Sequence, residues 1–188
     1  VDALGFIFYE KSPRNVDPKT ARIIIEQLPP FIDTVGVFVD RSSREVEEII
    51  SFCSLGYAQL HGQESPQYCE RLARSAGPCQ LLKALRVGEH LQAEDIIPYN
   101  EYVRGFLLDT YQKGVQGGTG TSFDWSLIKG LNLQRDFILA GGLDVDNVQQ
   151  AIEAVQPYGL DVNSGVETSP GHKDHDRIRE FVSKVWER

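Results

Sequence analysis

Short apolar runs recur about every 20 to 30 residues along this chain, and a helix-competent stretch separates most of them. The runs fall at 4–8, 35–39, 57–60, 81–87, 105–110, 137–140 and 160–163. All are short for a helix, and the run at 105–110 has the form of a buried parallel strand. The intervals carry helix starts. Asp17-Pro18 opens a helix to about Leu28, which Pro29-Pro30 ends. Ser42 or Ser43 caps a helix with Val46, Ile49, Ile50 and Cys53 on its apolar side. Ser65-Pro66 opens a third, to about Ser75. A weaker helix falls near 91–96, another runs from Ser122 or Asp124 to about Gly130, and a third follows Asp146 to about Val155. A charged amphipathic helix over 171–186 closes the chain, with Lys173 and Asp174 at its solvated start.

This βα repeat predicts an α/β fold. Seven strands are one short of a (β/α)8 barrel, so a doubly wound open sheet is the alternative. An open sheet would gather functional residues at one switch point. Here they sit at the exits of many strands, which favours the barrel. The chain has 188 residues, 41% of them hydrophobic, with no linker or low-complexity tract, so one domain over 1–188 is expected.

Charge narrows the partners. Asp and Glu number 27 against 19 Lys and Arg, for a formal net charge of -8. That argues against nucleic acid and against an anionic membrane. No run has the length of a membrane span and no signal peptide is visible. Cys53, Cys69 and Cys79 have no metal spacing and read as reduced, packed thiols of a cytoplasmic protein.

The chemistry concentrates in one stretch. Gly105 to Asp109 is an apolar strand ending in a carboxylate, and Gly117-Gly118-Thr119-Gly120 follows it. Three glycines in four residues free backbone N–H groups to close on an anion. Two more such exits follow, Gly141-Gly142 and Ser164-Gly165. Late barrel loops of this kind bind phosphate, so Gly118, Gly120, Gly142, Ser164 and Gly165 are the candidate phosphate ligands. Period-two alternation puts Asp109 on the face of Leu107, Asp161 on that of Asn163, and His61 on that of Gln59. Asp109 in apolar surroundings suits a general acid, with a cap as the bland alternative. Asp161 reads equally as an acid–base or orienting group and as a structural carboxylate. His61 reads as a hydrogen-bonded mouth residue, since no second His shares a metal with it. Arg14 is either a partner for an anionic group or a solvated loop charge. Lys83 and Arg86 add positive charge near a mouth without an assigned role.

These pieces together resemble the phosphoribosylanthranilate isomerase family. The matching segments are Gly5-Phe6-Ile7-Phe8 with Ser12-Pro13-Arg14, Val35-Gly36-Val37-Phe38-Val39, Gln59-Leu60-His61-Gly62, Leu108-Asp109-Thr110, the glycine loop at 117–120, Leu139 to Leu143, and Asp161 to Glu167 with Pro170 to Asp174. The resemblance implies a (β/α)8 barrel whose first βα unit is absent here, with seven strands visible. It implies a cofactor-free, metal-free Amadori rearrangement of a phosphorylated aminoaldose by a monomer or homodimer. Asp109 becomes the general acid, Arg14 the holder of the anthranilate, Asp161 the aspartate of the last strand, and the glycine loops the phosphate site. The family's base is a cysteine at the exit of the first barrel strand, in a Lys-Ile-Cys-Gly-Ile-Thr type motif. Cys53, Cys69 and Cys79 lie on helices or at a strand entrance and cannot replace it. The 188 residues alone are therefore expected to turn over poorly, with unpaired edges on the flanking strands. Restoring a first βα unit tests that. The competing readings are another phosphosugar barrel enzyme and an inactive phosphate-ligand binding module.

Overall fold

The computed structural model of the chain describes residues 1–88, 90–110 and 125–187. Those residues form two compact units, 1–84 with 98–105, and 85–97 with 106–188.

Local chemistry sets the helices of the first unit. Asp17 accepts the Thr20 N–H and Pro18 takes the first turn, starting α1 (Pro18–Ile25). Beyond Ile25 the winding tightens to three-residue turns, Gln27 to Ile24 and Leu28 to Ile25, before Pro29 stops it. Ser42 and Glu45 form a reciprocal capping box on α2 (Ser43–Cys53). Ser65 accepts the Tyr68 N–H at the head of α3 (Pro66–Ser75). Strands β1 (Ala3–Ile7), β2 (Asp33–Phe38), β3 (Tyr57–Leu60) and β4 (Gln80–Arg86) pair in parallel in that order. Between them and the helices lies a core in which Phe8 and Phe38 stack at 5.4 Å and 23°. Both rings are fully buried, together with Val46, Leu60 and Leu72. Each such side chain contributes about 1.5–3 kcal/mol. The predicted apolar stripe of α2 holds: Val46, Ile49, Ile50 and Cys53 are its buried residues.

In the second unit, α4 (Ala93–Ile96) precedes the strand β5 (Gly105–Asp109), whose first residue belongs to the first unit. A short α5 (Ser126–Lys129) follows, then β6 (Phe137–Ala140), α6 (Val148–Val155) and β7 (Gly159–Leu160). β5, β6 and β7 pair in parallel in that order. The predicted strand over 160–163 is shorter than its sequence suggests. Only the Asp161 N–H extends the ladder, donating to Leu139 O at 2.8 Å, before the chain turns into a 3-10 turn over Ser164–Val166.

The closing helix also differs. Glu167–Ser169 (β8) and His172–Lys173 (β9) form an antiparallel hairpin around Pro170-Gly171. The helix α7 (His175–Trp186) begins only after Asp174, which accepts the Asp176 and Arg177 N–H groups. Asp174 is thus the cap, held below the usual carboxylate range chiefly by the Arg177 N–H. Lys173 is not part of the helix. Its ammonium turns back to the buried Glu167 carboxylate at 2.9 Å.

Candidate functional site

The second unit carries Asp109, the candidate acid, and the candidate phosphate turns at Gly141-Gly142 and Ser164-Gly165. β5 is buried from Gly105 to Leu108 and half-buried at Asp109, its last residue. Alternation puts Asp109 on the face of Leu107, as predicted. Asp109 pairs in register with Ala140, and its carbonyl accepts the Val87 N–H at 2.9 Å. Thr110, buried, ties this exit to the next. Its N–H donates to Ala140 O at 3.0 Å, and its hydroxyl lies 2.9 Å from Ala140 O and 2.8 Å from Gly141 O. The Asp109 strand end is therefore fastened to the Gly141-Gly142 turn.

That turn runs through φ values of 92° and 70° at Gly141 and Gly142. It is fixed from below by Asn147, whose side-chain amide donates to Gly142 O at 2.8 Å. Asp144 accepts the Asp146 and Asn147 N–H groups at 2.9 and 3.0 Å. Gly165 then packs against this loop. A Cβ there would run into Leu143 O and sit 3.0 Å from Leu143 C and 3.1 Å from Asp144 Cα. Only a residue without a side chain allows the two turns to lie so close. Gly142 and Gly165 thus belong to adjoining turns, and Ser164, exposed, opens the second of them. Asp161 is exposed just beyond β7. Gly118 and Gly120 lie outside the described residues.

The turn at Gly165 is braced from behind. Lys173 Nζ donates to Asn163 O at 3.0 Å, Asn163 Oδ1 at 2.6 Å and Glu167 Oε1 at 2.9 Å. Gly171 N–H also donates to Glu167 Oε1, at 3.3 Å, and Arg177 Nη1 donates to Glu167 O at 3.2 Å. None of this bracing is legible from residue spacing alone. The Pro170-Gly171 dipeptide is the one signal for the hairpin that supplies it.

The first unit carries Arg14 and His61. Arg14 is half-buried in a loop that folds back on β1, where Asn15 bridges Ile7 and the Val16 N–H donates to Ile7 O at 2.9 Å. Its own N–H donates to Ser12 Oγ at 3.1 Å. His61 leaves β3, with its N–H donating to Phe38 O at 2.8 Å. Its Nδ1 lies 3.0 Å from the buried Gln59 Nε2, on the shared face that alternation predicts. With the amide donating, Nδ1 accepts and Nε2 carries the ring hydrogen.

Sequence reasoning left Lys83 without a role and passed over Glu64. Both are buried, and Lys83 Nζ lies 2.9 Å from Glu64 Oε2. The available signal was a lysine inside the apolar run Leu81-Leu82-Lys83-Ala84-Leu85, where a charge needs a partner. Arg86 is exposed at the end of β4.

The cysteine thiols are packing groups. Burial pushes Cys69 and Cys79 up to about 11 and raises Cys53 as well. Among the described residues, no group of three or more His, Cys, Asp or Glu is arranged to hold a metal ion. No described helix is long and apolar enough to cross a membrane.

Parallel strands alternating with helices, with carboxylates and bare glycine turns at strand exits, define an enzyme of the (β/α) barrel type. Residues 1–184 match the family model described as N-(5'phosphoribosyl)anthranilate (PRA) isomerase. A Pseudomonas putida N-(5'-phosphoribosyl)anthranilate isomerase is 49% identical over 184 residues, covering 98% of this chain and 86% of that protein. A solved phosphoribosyl anthranilate isomerase in complex with reduced 1-(o-carboxyphenylamino)-1-deoxyribulose 5-phosphate superposes with a TM-score of 0.81 at 38% identity, covering 98% of this chain and 87% of that one. Monomers of the dimeric Thermotoga maritima enzyme give a TM-score of 0.82 at 36% identity, covering 100% and 88%. The chain belongs to the N-(5'-phosphoribosyl)anthranilate isomerase family and shares its α/β barrel-type fold.

Proposed function

We propose that this protein isomerises N-(5'-phosphoribosyl)anthranilate to 1-(o-carboxyphenylamino)-1-deoxyribulose 5-phosphate in tryptophan biosynthesis, with Asp109 as the general acid. The carboxyl of Asp109 gives its proton to the furanose ring oxygen. The C1–O bond breaks as the anilino nitrogen lone pair forms a C1=N Schiff base. Loss of the C2 proton yields an enolamine, which takes a proton at C1, loses the one on its C2 hydroxyl and becomes the C2 ketone. The step is an internal redox exchange, C1 reduced and C2 oxidised, so it needs no external oxidant.

The phosphate tail is gripped by the main-chain N–H groups of the turns at Gly142, Ser164 and Gly165; Gly118 and Gly120, assigned to the same role from the sequence, lie outside the described residues. Arg14 holds the anthranilate carboxylate through its guanidinium fork. His61 and Asp161 contact the substrate. No residue of this chain is proposed as the acceptor of the C2 proton. The buried thiols of Cys53, Cys69 and Cys79 are poor candidates, because burial disfavours the thiolate. Monomer or homodimer, and a cytoplasmic location, complete the reading; a larger assembly by light scattering, or a protein found outside the cytoplasm, would overturn that part of it.

The observation that carries the proposal is the Thr110 tie. It fastens the strand end bearing Asp109 to a glycine turn that itself abuts Gly165. The candidate acid and the candidate anion cradle thereby share one hydrogen-bonded frame. The test is Asp109→Asn in the full-length protein, where kcat should drop by about 10²–10⁴-fold. Affinity for the reduced product analogue should persist. A kcat within threefold of the parent would remove Asp109 from the mechanism.

A further inference from the structure

The geometry points to a second role at the mouth of the first unit: we propose that the buried Lys83–Glu64 pair positions His61. The inference rests on the reading of His61 as a substrate-binding residue. Lys83 Nζ has three hydrogens, and three acceptors meet them. They are Leu60 O at 3.0 Å, Gly62 O at 2.8 Å and Glu64 Oε2 at 2.9 Å. The two carbonyls belong to the residues immediately before and after His61. The ammonium therefore straddles the His61 backbone from both sides.

Glu64 completes the grip. Its Oε2 accepts the Gly62 N–H at 2.9 Å, and its Oε1 accepts the Asp40 N–H at 2.9 Å. The Tyr99 hydroxyl donates to Glu64 O at 3.0 Å. Asp40 Oδ1 in turn accepts the Gln63 N–H at 2.5 Å. The exits of β2 and β3 are thus locked to each other through one carboxylate. Gln59 then fixes the imidazole at Nδ1.

The pair is a positioning device and makes no substrate contact, because Lys83 is buried with every donor used. A buried ion pair is seldom more stabilising than apolar residues of the same volume. What it supplies here is direction: five fixed hydrogen bonds onto residues 40 and 60–64, where apolar packing would supply none.

The experiment uses the full-length protein with both charges removed, Lys83→Met with Glu64→Gln, alongside His61→Asn and the triple variant. Turnover of N-(5'-phosphoribosyl)anthranilate is read together with the ¹⁵N signals of the His61 ring. The charge-free variant should lose about 10- to 100-fold in kcat/KM, since small misplacements carry costs of that order. Its His61 ring should lose the single Nδ1-accepting tautomer. In the His61→Asn background the same two substitutions should cost about twofold at most, because the residue through which they act is gone. Equal losses in both backgrounds, or a native His61 ring signal, would overturn the positioning role. If His61→Asn alone keeps kcat/KM within threefold, the His61 assignment falls and the proposal with it, while the Asp109→Asn result stands separately. Should the charge-free variant not fold, Tyr99→Phe carries the test by removing one hydrogen bond from the Glu64 carbonyl. It is expected to lower kcat/KM severalfold and broaden the His61 ring signals, and no change in either would overturn the proposal.

Discussion

Among the described residues, each unit has a lysine–glutamate pair at 2.9 Å, placed behind a strand exit that bears a proposed site residue. Lys83–Glu64 sits behind His61 in the first unit. Lys173–Glu167 sits behind Ser164 and Gly165 in the second. Their chemistry and distance are the same, and their surroundings are not. The side chains of Lys83 and Glu64 are 3% and 2% exposed, whereas Lys173 is 39% exposed against 3% for Glu167. Water screens one end of the second pair and neither end of the first. The lesson is that separation alone does not set the value of an ion pair. The cost of leaving one partner behind depends on whether water can reach it.

Lys83→Met should produce the largest effect. It strands the Glu64 carboxylate in a dry site, and the expected destabilisation is about 3–5 kcal/mol. For a chain of this size that is a fall of roughly 6–20 °C in melting temperature. Adding Glu64→Gln should recover part of it. A charge-free variant as unstable as the single one would mean the loss comes from packing and not from the orphaned charge.

Gly165→Ala comes next and tests the other exit directly. The added methyl meets the Leu143 carbonyl, so the two turns must separate. We expect KM for the phosphorylated substrate to rise about tenfold or more with kcat less affected, consistent with a loss of orientation at the phosphate. Competition by inorganic phosphate should weaken in parallel. An unchanged KM would break the link between this close approach and anion binding.

Lys173→Met should cost less than Lys83→Met, about 1–2 kcal/mol, because Glu167 keeps the Gly171 N–H and its partner was already half in water. The penalty should shrink in 1 M salt, where the Debye length is about 3 Å. Equal penalties for the two lysines in chemical denaturation would dissolve the contrast between the pairs.

The smallest effect probes the dry cluster from its edge. Burial, and after it the Glu64 carboxylate, pushes the Tyr68 phenol from 10.0 up to about 12. Its hydroxyl donates to Arg41 O at 2.9 Å. The folded state therefore holds the phenolic proton more tightly than the unfolded chain. That contribution is complete below about pH 10 and is lost as the pH climbs through 12. Tyr68→Phe should flatten the alkaline part of the stability curve, measured as urea midpoints from about pH 9 to about pH 12. A parallel curve for the variant would assign the alkaline loss to other groups.

Local elements were legible where one short-range rule decided them. Ser65-Pro66 marks the start of α3 and the structure ends it at Ser75, as the pattern indicates. Tyr57–Leu60 and Phe137–Ala140 are strands at the predicted residues. The alternation placing His61 beside Gln59 holds because strand geometry alone imposes it. The charged amphipathic pattern over 171–186 predicts a helix from Gly171, but 172–173 form the second arm of the hairpin and α7 begins at His175. What outweighed that pattern was the buried Glu167, which draws Lys173 back across the turn.

From the chain's own order of residues came the α/β class, the helix caps, the family resemblance and the candidate acid at position 109. Those follow from interactions spanning a few residues, or from motifs that carry their own geometry. Tertiary structure alone decided that Lys83 finds Glu64 nineteen positions away, that Thr110 fastens onto Gly141 across thirty-one, and that Gly165 nestles under Leu143. Partners so distant are chosen by which groups lose water together when strands line up, and no local pattern encodes that choice.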